Sequence, residues 1–133
     1  DNLFKLCTHI SVHCNLTEET HHLINQKRIK MMPGVDPFNL ACGNHIVNCA
    51  RGGIVEEDAA LEALESGQLS SLALDVFEHE PLKVNSKLSK IWLNRKNMGK
   101  VIFTPHVAFY SQEALYEIRF KGVNTLRKFL ERL

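Results

Sequence analysis

The stretch Asn48-Cys49-Ala50-Arg51-Gly52-Gly53-Ile54-Val55 decides how this chain reads. An apolar pair, Ile46-Val47, leads into it, and an acidic, Ala- and Leu-rich helical pattern leaves it. An arginine followed by two glycines at such a joint marks a β-strand that delivers a cation to a sheet edge, the glycines letting the chain turn sharply into a helix. Arginine keeps its charge and presents a planar fork that matches a carboxylate. Arg51 is therefore the expected anchor for a small substrate bearing a carboxylate; its plain alternative is a surface salt bridge.

Working upstream, Thr8 to Cys14 alternates, with Ile10 and Val12 on one face, and predicts a strand. Residues 1–6 predict a short helical turn. Asn25 is placed to cap a helix running to about Met32, which Pro33-Gly34 ends. Residues 35–44 have no period and read as a loop. Downstream, a helix over 57–66 carries Glu57 and Asp58 in its first turn, with Gly67 in a C′ position. Leu72 to Phe77 predicts a strand ending near the lone acid Asp75. Residues 86–93 allow a helical turn, and Lys100 to Thr104 predicts a strand stopped by Pro105. Ser111 is placed to cap a last helix to about 131, whose stripe of Leu115, Ile118, Leu126, Phe129, Leu130 and Leu133 reads as core or as an interface.

Strands alternating with helices imply an α/β fold, a parallel sheet with flanking helices, and such sheets bind ligands outside the carboxyl ends of their strands. The strand ends carry His13-Cys14, Arg51, Asp75 then Glu80, and Pro105-His106. His106 is the natural proton donor and acceptor near neutral pH. Glu80 is placed to hydrogen-bond it, fix its tautomer and favour the imidazolium. A carboxylate anchor beside an acid/base pair suits reversible reduction of a 2-oxo acid, and the hydride must come from a cofactor, because no side chain donates one.

The totals agree with this class and exclude others. The chain has 133 residues, 44% hydrophobic and 23% charged, which fits one globular domain. Its net charge of +1 makes no case for nucleic acid or an anionic membrane. No stretch reads as a membrane span or a signal peptide. Cys7, Cys14, Cys42 and Cys49 form no C-x-x-C pair, so a reduced, cytoplasmic chain is the simpler reading. His9, His13, His21 and His22 invite a zinc reading, but their spacing matches no ordinary zinc module and no metal site is expected. Cys49 reads as a small packing residue rather than an activated thiolate.

Several ordered motifs resemble the NAD-dependent D-2-hydroxyacid dehydrogenase family. They are Val12-His13-Cys14, Thr17 to Asn25, Asn48 to Val55, Ala73 to Pro81, and Thr104-Pro105-His106. The His13-Cys14 pair, His21 to Asn25, and Ala108-Phe109-Tyr110-Ser111 look most like its C-terminal-binding-protein branch. The resemblance implies that Arg51 binds the substrate carboxylate and polarises the carbonyl, that His106 donates the proton, and that Glu80 is its partner. It implies NAD as cofactor, with Asp75 at the nicotinamide end. The rest of the NAD site would be Cys14, Asn15, Leu16, Thr17, Glu18, Glu19 and Thr20, with Cys49, Ala50 and Arg51, then His106, Val107, Ala108 and Phe109. Phe109 is the local candidate for contact with the substrate's side chain.

Residues 1–133 would then form the second half of a Rossmann-like NAD-binding domain, with 111–133 as its C-terminal helix. The family's G-x-G-x-x-G turn, its ribose-binding acid and its substrate domain lie outside this sequence. Asp1-Asn2-Leu3-Phe4 already runs an apolar pattern, so the chain reads as a fragment. A homodimer or a partner segment is expected to supply the missing half, and an NAD-binding regulatory protein or an inactive remnant are the alternatives to an enzyme. Relative to the family, 35–46 and the region around 92–98 are longer, and Glu56 stands at a helix cap where aspartate serves better.

Overall fold

The computed structural model describes residues 1–132. Its elements are α1 (Asn2–Leu6), β1 (His9–Val12), α2 (Gln26–Ile29), β2 (His45–Asn48), α3 (Glu57–Ser66), β3 (Ser71–Leu74), α4 (Lys87–Leu93), a 3-10 turn (Arg95–Asn97), β4 (Val101–Phe103) and α5 (Gln112–Leu130). The four strands form one parallel sheet in the order β1-β2-β3-β4. All their carboxyl ends therefore open on one edge, as the strand–helix alternation requires.

Register explains which residues form the core. Ile10, Ile46, Leu72 and Val101 lie in one row, and Val12, Asn48, Leu74 and Phe103 in the row two residues on. Both rows point to the face covered by α1 to α4, where Phe4, Ile29, Ala59, Ala60, Leu61, Ala63 and Leu88 complete one cluster. The intervening row, Ser11, Val47, Ala73 and Ile102, lies on the opposite face. There Ile102 is 63% exposed and Val47 37% exposed.

Local signals set the helix ends. Asn25 accepts from the Arg28 amide at the start of α2, and α2 stops at Ile29, shorter than the pattern predicts, with Met31 and Met32 continuing as a turn. Ser86 and Ser111 cap α4 and α5. Gly67 ends α3 in the left-handed region at φ +79°. β3 ends at Leu74, so Asp75 to Phe77 leave the ladder earlier than predicted.

The long 35–46 segment does not disturb the strand it precedes. Val35 pairs with Ala41, and Asp36 accepts from the amides of Phe38 and Leu40, so the excursion closes on itself before β2. Around 92–98 the extra residues are used by the end of α4 and by the 3-10 turn. The stripe of α5 is not core: none of the helix's residues is buried, and Ile118, Leu126, Phe129 and Leu130 are all exposed. Leu133 lies outside the described residues.

Candidate active site

Each strand hands a polar segment to the carboxyl edge. After β2, Asn48 is 1% exposed and shapes the turn that carries Arg51. Its amide nitrogen donates to the Arg51 carbonyl at 2.9 Å, and its amide oxygen accepts from the Ala50 N–H at 3.0 Å. Arg51 itself is exposed, with Nη1 donating to the Ala50 carbonyl at 2.6 Å. No ion pair among the described residues engages it, so the salt-bridge alternative has no partner here. Gly52 packs against the next strand's exit so closely that a Cβ would lie 1.8 Å from the Phe77 carbonyl oxygen.

After β3, Asp75 is buried and turned inward. Its carboxylate accepts from Thr104 Oγ1 at 2.5 Å, the Val107 amide at 2.8 Å and the Ala108 amide at 2.9 Å. Its carbonyl accepts from the His106 amide at 2.8 Å. Burial pushes the Asp75 carboxyl up, but the bonds from Thr104, Ala108 and Val107, with the nearby His106, outweigh it and hold the group below the usual carboxylate range. This carboxylate is the hub of the loop 104–108.

After β4, that loop bends His106 into the left-handed region, φ +55°, an uncommon conformation for a non-glycine residue. His106 Nδ1 lies 2.8 Å from Glu80 Oε2. A carboxylate only accepts, so a proton sits on Nδ1, and Nε2 has no hydrogen-bond partner among the described residues. Glu80 Oε1 accepts from the Phe77 amide at 2.9 Å. Burial raises the Glu80 carboxyl, yet the hydrogen bond from His106 and that from Phe77 prevail and lower it. The Phe109 ring stands edge-on to His106, with centroids 6.1 Å apart.

The loop after β1 closes the edge on the other side. Thr20 Oγ1 donates to the Asn15 carbonyl and accepts from the Thr17 amide, drawing 15–20 into a compact turn. Glu18 and Glu19 are exposed on that turn, and Cys14 is partly buried against the core. Ile24 bridges Val55, and the His22 amide donates to the Gly53 carbonyl, so this loop is tied to the arginine turn. Cys49 is exposed. Among the described residues no cluster of three or more His, Cys, Asp or Glu side chains is arranged to hold a metal, and His9 instead stacks on His45 at 4.4 Å.

Asn48, Thr104, Glu57 and Glu78 are structural parts of this edge that sequence reasoning missed. The period of β2 carried a signal for the first, because an inward Ile46 makes Asn48 inward as well. The Glu78 contacts link residues 21 positions apart and leave no local pattern.

This edge matches one end of a dinucleotide better than the other. Leu16, Val107 and Phe109 are exposed beside the strand tips and offer apolar surface to a flat ring. A diphosphate would need a free helix N-terminus at this edge. The helix that follows Gly52-Gly53 is α3, and its first turn carries Glu57 and Asp58, with the Glu57 amide already taken by Glu78 Oε1.

Comparisons with known proteins identify the family and the fold. Residues 1–108 match the family model described as D-isomer specific 2-hydroxyacid dehydrogenase, NAD binding domain. The chain is 36% identical over 114 residues to a glyoxylate reductase of Thermofilum pendens, covering 86% of this chain and 29% of that protein. It is 28% identical to a D-lactate dehydrogenase of Lactiplantibacillus plantarum, covering 98% of this chain and 39% of that protein. The chain thus spans less than two fifths of the length of these relatives. A crystal structure of Aquifex aeolicus D-lactate dehydrogenase with NAD and lactic acid superposes with a TM-score of 0.77 at 34% identity, over 98% of this chain and 39% of that one. With the family model matched over residues 1–108 and the parallel sheet shared with solved relatives, this chain belongs to the D-isomer specific 2-hydroxyacid dehydrogenase family and carries NAD binding domain sequence of that family.

Proposed function

We propose that this chain supplies the catalytic wall of an NAD-dependent dehydrogenase that interconverts a 2-hydroxy acid and its 2-oxo acid. The observation that carries the reading is the His106–Glu80 pair at 2.8 Å, one strand from an exposed Arg51 that no ion pair among the described residues engages. Arg51 holds the substrate carboxylate and polarises the carbonyl. His106 gives a proton from Nε2 to the carbonyl oxygen in reduction and takes it back in oxidation, while Glu80 holds the ring through Nδ1. The cofactor, when bound, supplies or accepts the hydride. The 14–20 loop, Cys49-Ala50 and 106–109 would line the cofactor site, with Asp75 at its nicotinamide end as well as holding the loop 104–108. Phe109 is the local residue placed to meet the substrate's side chain.

The reading extends to assembly and compartment. The relatives named above are a glyoxylate reductase and D-lactate dehydrogenases, which lends the C-terminal-binding-protein branch no support. The exposed α5 favours association with a second copy or with a segment that completes the domain. Four unpaired cysteines fit a reducing, cytoplasmic setting, and no helix among the described residues is long and apolar enough to cross a membrane.

The test is NADH oxidation with glyoxylate, pyruvate and larger 2-oxo acids, using the chain with a complementary N-terminal segment of a relative. Arg51→Ala and His106→Ala are each expected to reduce turnover by roughly 10²- to 10⁴-fold. Turnover that survives both changes, in a protein that binds NADH, would overturn these roles. NADH-dependent association without turnover would favour the regulatory alternative.

A further inference from the structure

We propose that Glu78, through a reciprocal pair of bonds with Glu57, is a positioning residue that holds the Arg51 turn and the Glu80–His106 pair in one frame. The inference rests on the dehydrogenase reading for its purpose, but its geometry stands apart from it. The Glu57 amide donates to Glu78 Oε1 at 2.9 Å, and the Glu78 amide donates to Glu57 Oε1 at 2.7 Å. His22 Nε2 lies 3.2 Å from the same Glu78 oxygen. The clasp therefore joins the start of α3, which directly follows the arginine turn, to the loop that carries Glu80, and it reaches the 14–24 loop through His22.

The residues around it show why this contact matters for position. Phe77 and Glu78 offer consecutive amides, one taken by Glu80 Oε1 and the other by Glu57 Oε1. Gly52 lies against the Phe77 carbonyl. The peptide that anchors the Glu80 carboxylate is thus gripped on its neighbouring side by α3. Glu56, at the N-cap of α3, makes no capping bond of its own. A local cap would satisfy the helix without touching the Glu80 loop, whereas the distant cap at Glu78 forms only when the two segments are docked. Burial outweighs the bond from the Glu78 amide and raises the Glu57 carboxyl; the facing Glu78 charge adds to the rise and His79 opposes it.

The same logic separates position from stability in a test. Three variants are compared, Glu78→Ala, Glu78→Gln and Glu56→Asp/Glu78→Ala, the last of which gives α3 a local cap. The readouts are thermal unfolding of the 133-residue chain and the ¹⁵N resonances of the His106 ring, which report whether Nδ1 keeps its proton for Glu80. Glu78→Ala is expected to lower the unfolding temperature and to shift the His106 nitrogens toward a mixed tautomer. Glu78→Gln keeps an acceptor and is expected to preserve both. Glu56→Asp/Glu78→Ala is expected to recover the unfolding temperature but not the tautomer. In the complemented enzyme that variant should lose kcat by roughly tenfold or more, with KM for the 2-oxo acid raised. Wild-type tautomer in Glu78→Ala, or its recovery together with stability in the double variant, overturns the proposal. An unperturbed wild-type His106 signal in a protein without turnover would instead count against the dehydrogenase reading alone.

Discussion

At the scale of single residues, the edge depends on two buried polar groups that hold its backbone in place. Asn48 satisfies both sides of the arginine turn. Replacing it with Ala leaves the Ala50 amide and the Arg51 carbonyl without their partner, and urea unfolding should show a loss of about 1–3 kcal/mol. Asp75 does the same for the loop 104–108. The carboxyls of Asp75 and Glu80 lie below their ordinary values of 3.8 and 4.5. Their stabilising contribution is therefore complete above those values and is lost as pH falls through the folded ones. Asp75→Asn should be less stable near pH 7, and its unfolding free energy should fall less between about pH 5 and pH 2 than that of the wild type. A parallel pH curve for the two proteins would show that folding does not lower the Asp75 carboxyl.

At the scale of elements, two glycines show how one residue type serves different needs. Gly67 ends α3 at φ +79° with nothing within 4 Å of an added Cβ. Gly67→Ala should cost only the backbone strain, about 1 kcal/mol. Gly52 has no such strain, but its Cβ would enter the Phe77 carbonyl. Gly52→Ala must push the arginine turn off β3's exit, so its loss in chemical denaturation should exceed that of Gly67→Ala by roughly 2 kcal/mol or more. Equal losses would mean that the turn yields freely. Elements with strong local signals were legible in the chain: Asn25 and Ser111 cap the helices they were expected to cap. The end of β3 was not, because Leu72 to Phe77 is apolar enough to continue a strand. Asp75 instead turns its carboxylate onto β4's exit loop, a partner 29 residues away.

At the scale of the whole molecule, the sheet is covered on one face and α5 buries none of its residues. A helix exposing Ile118, Phe120, Val123, Leu126, Phe129 and Leu130 presents a long apolar stripe to water. Sedimentation should therefore show association that grows with concentration. Phe120→Ser/Leu126→Ser should shift the distribution to smaller species without lowering the unfolding temperature. An unchanged distribution would show that the stripe makes no contact in solution. By itself, the sequence determined the alternation of strands and helices, the family, and which side chains stand at the strand ends, because hydrophobic period, caps and motif order are local along the chain. Only the tertiary structure decided that Asp75 faces inward, that α3 is capped by Glu78, and that the α5 stripe lies open. Those outcomes depend on which distant segment supplies a hydrogen-bond partner or a covering face, and the local pattern carries no record of that choice.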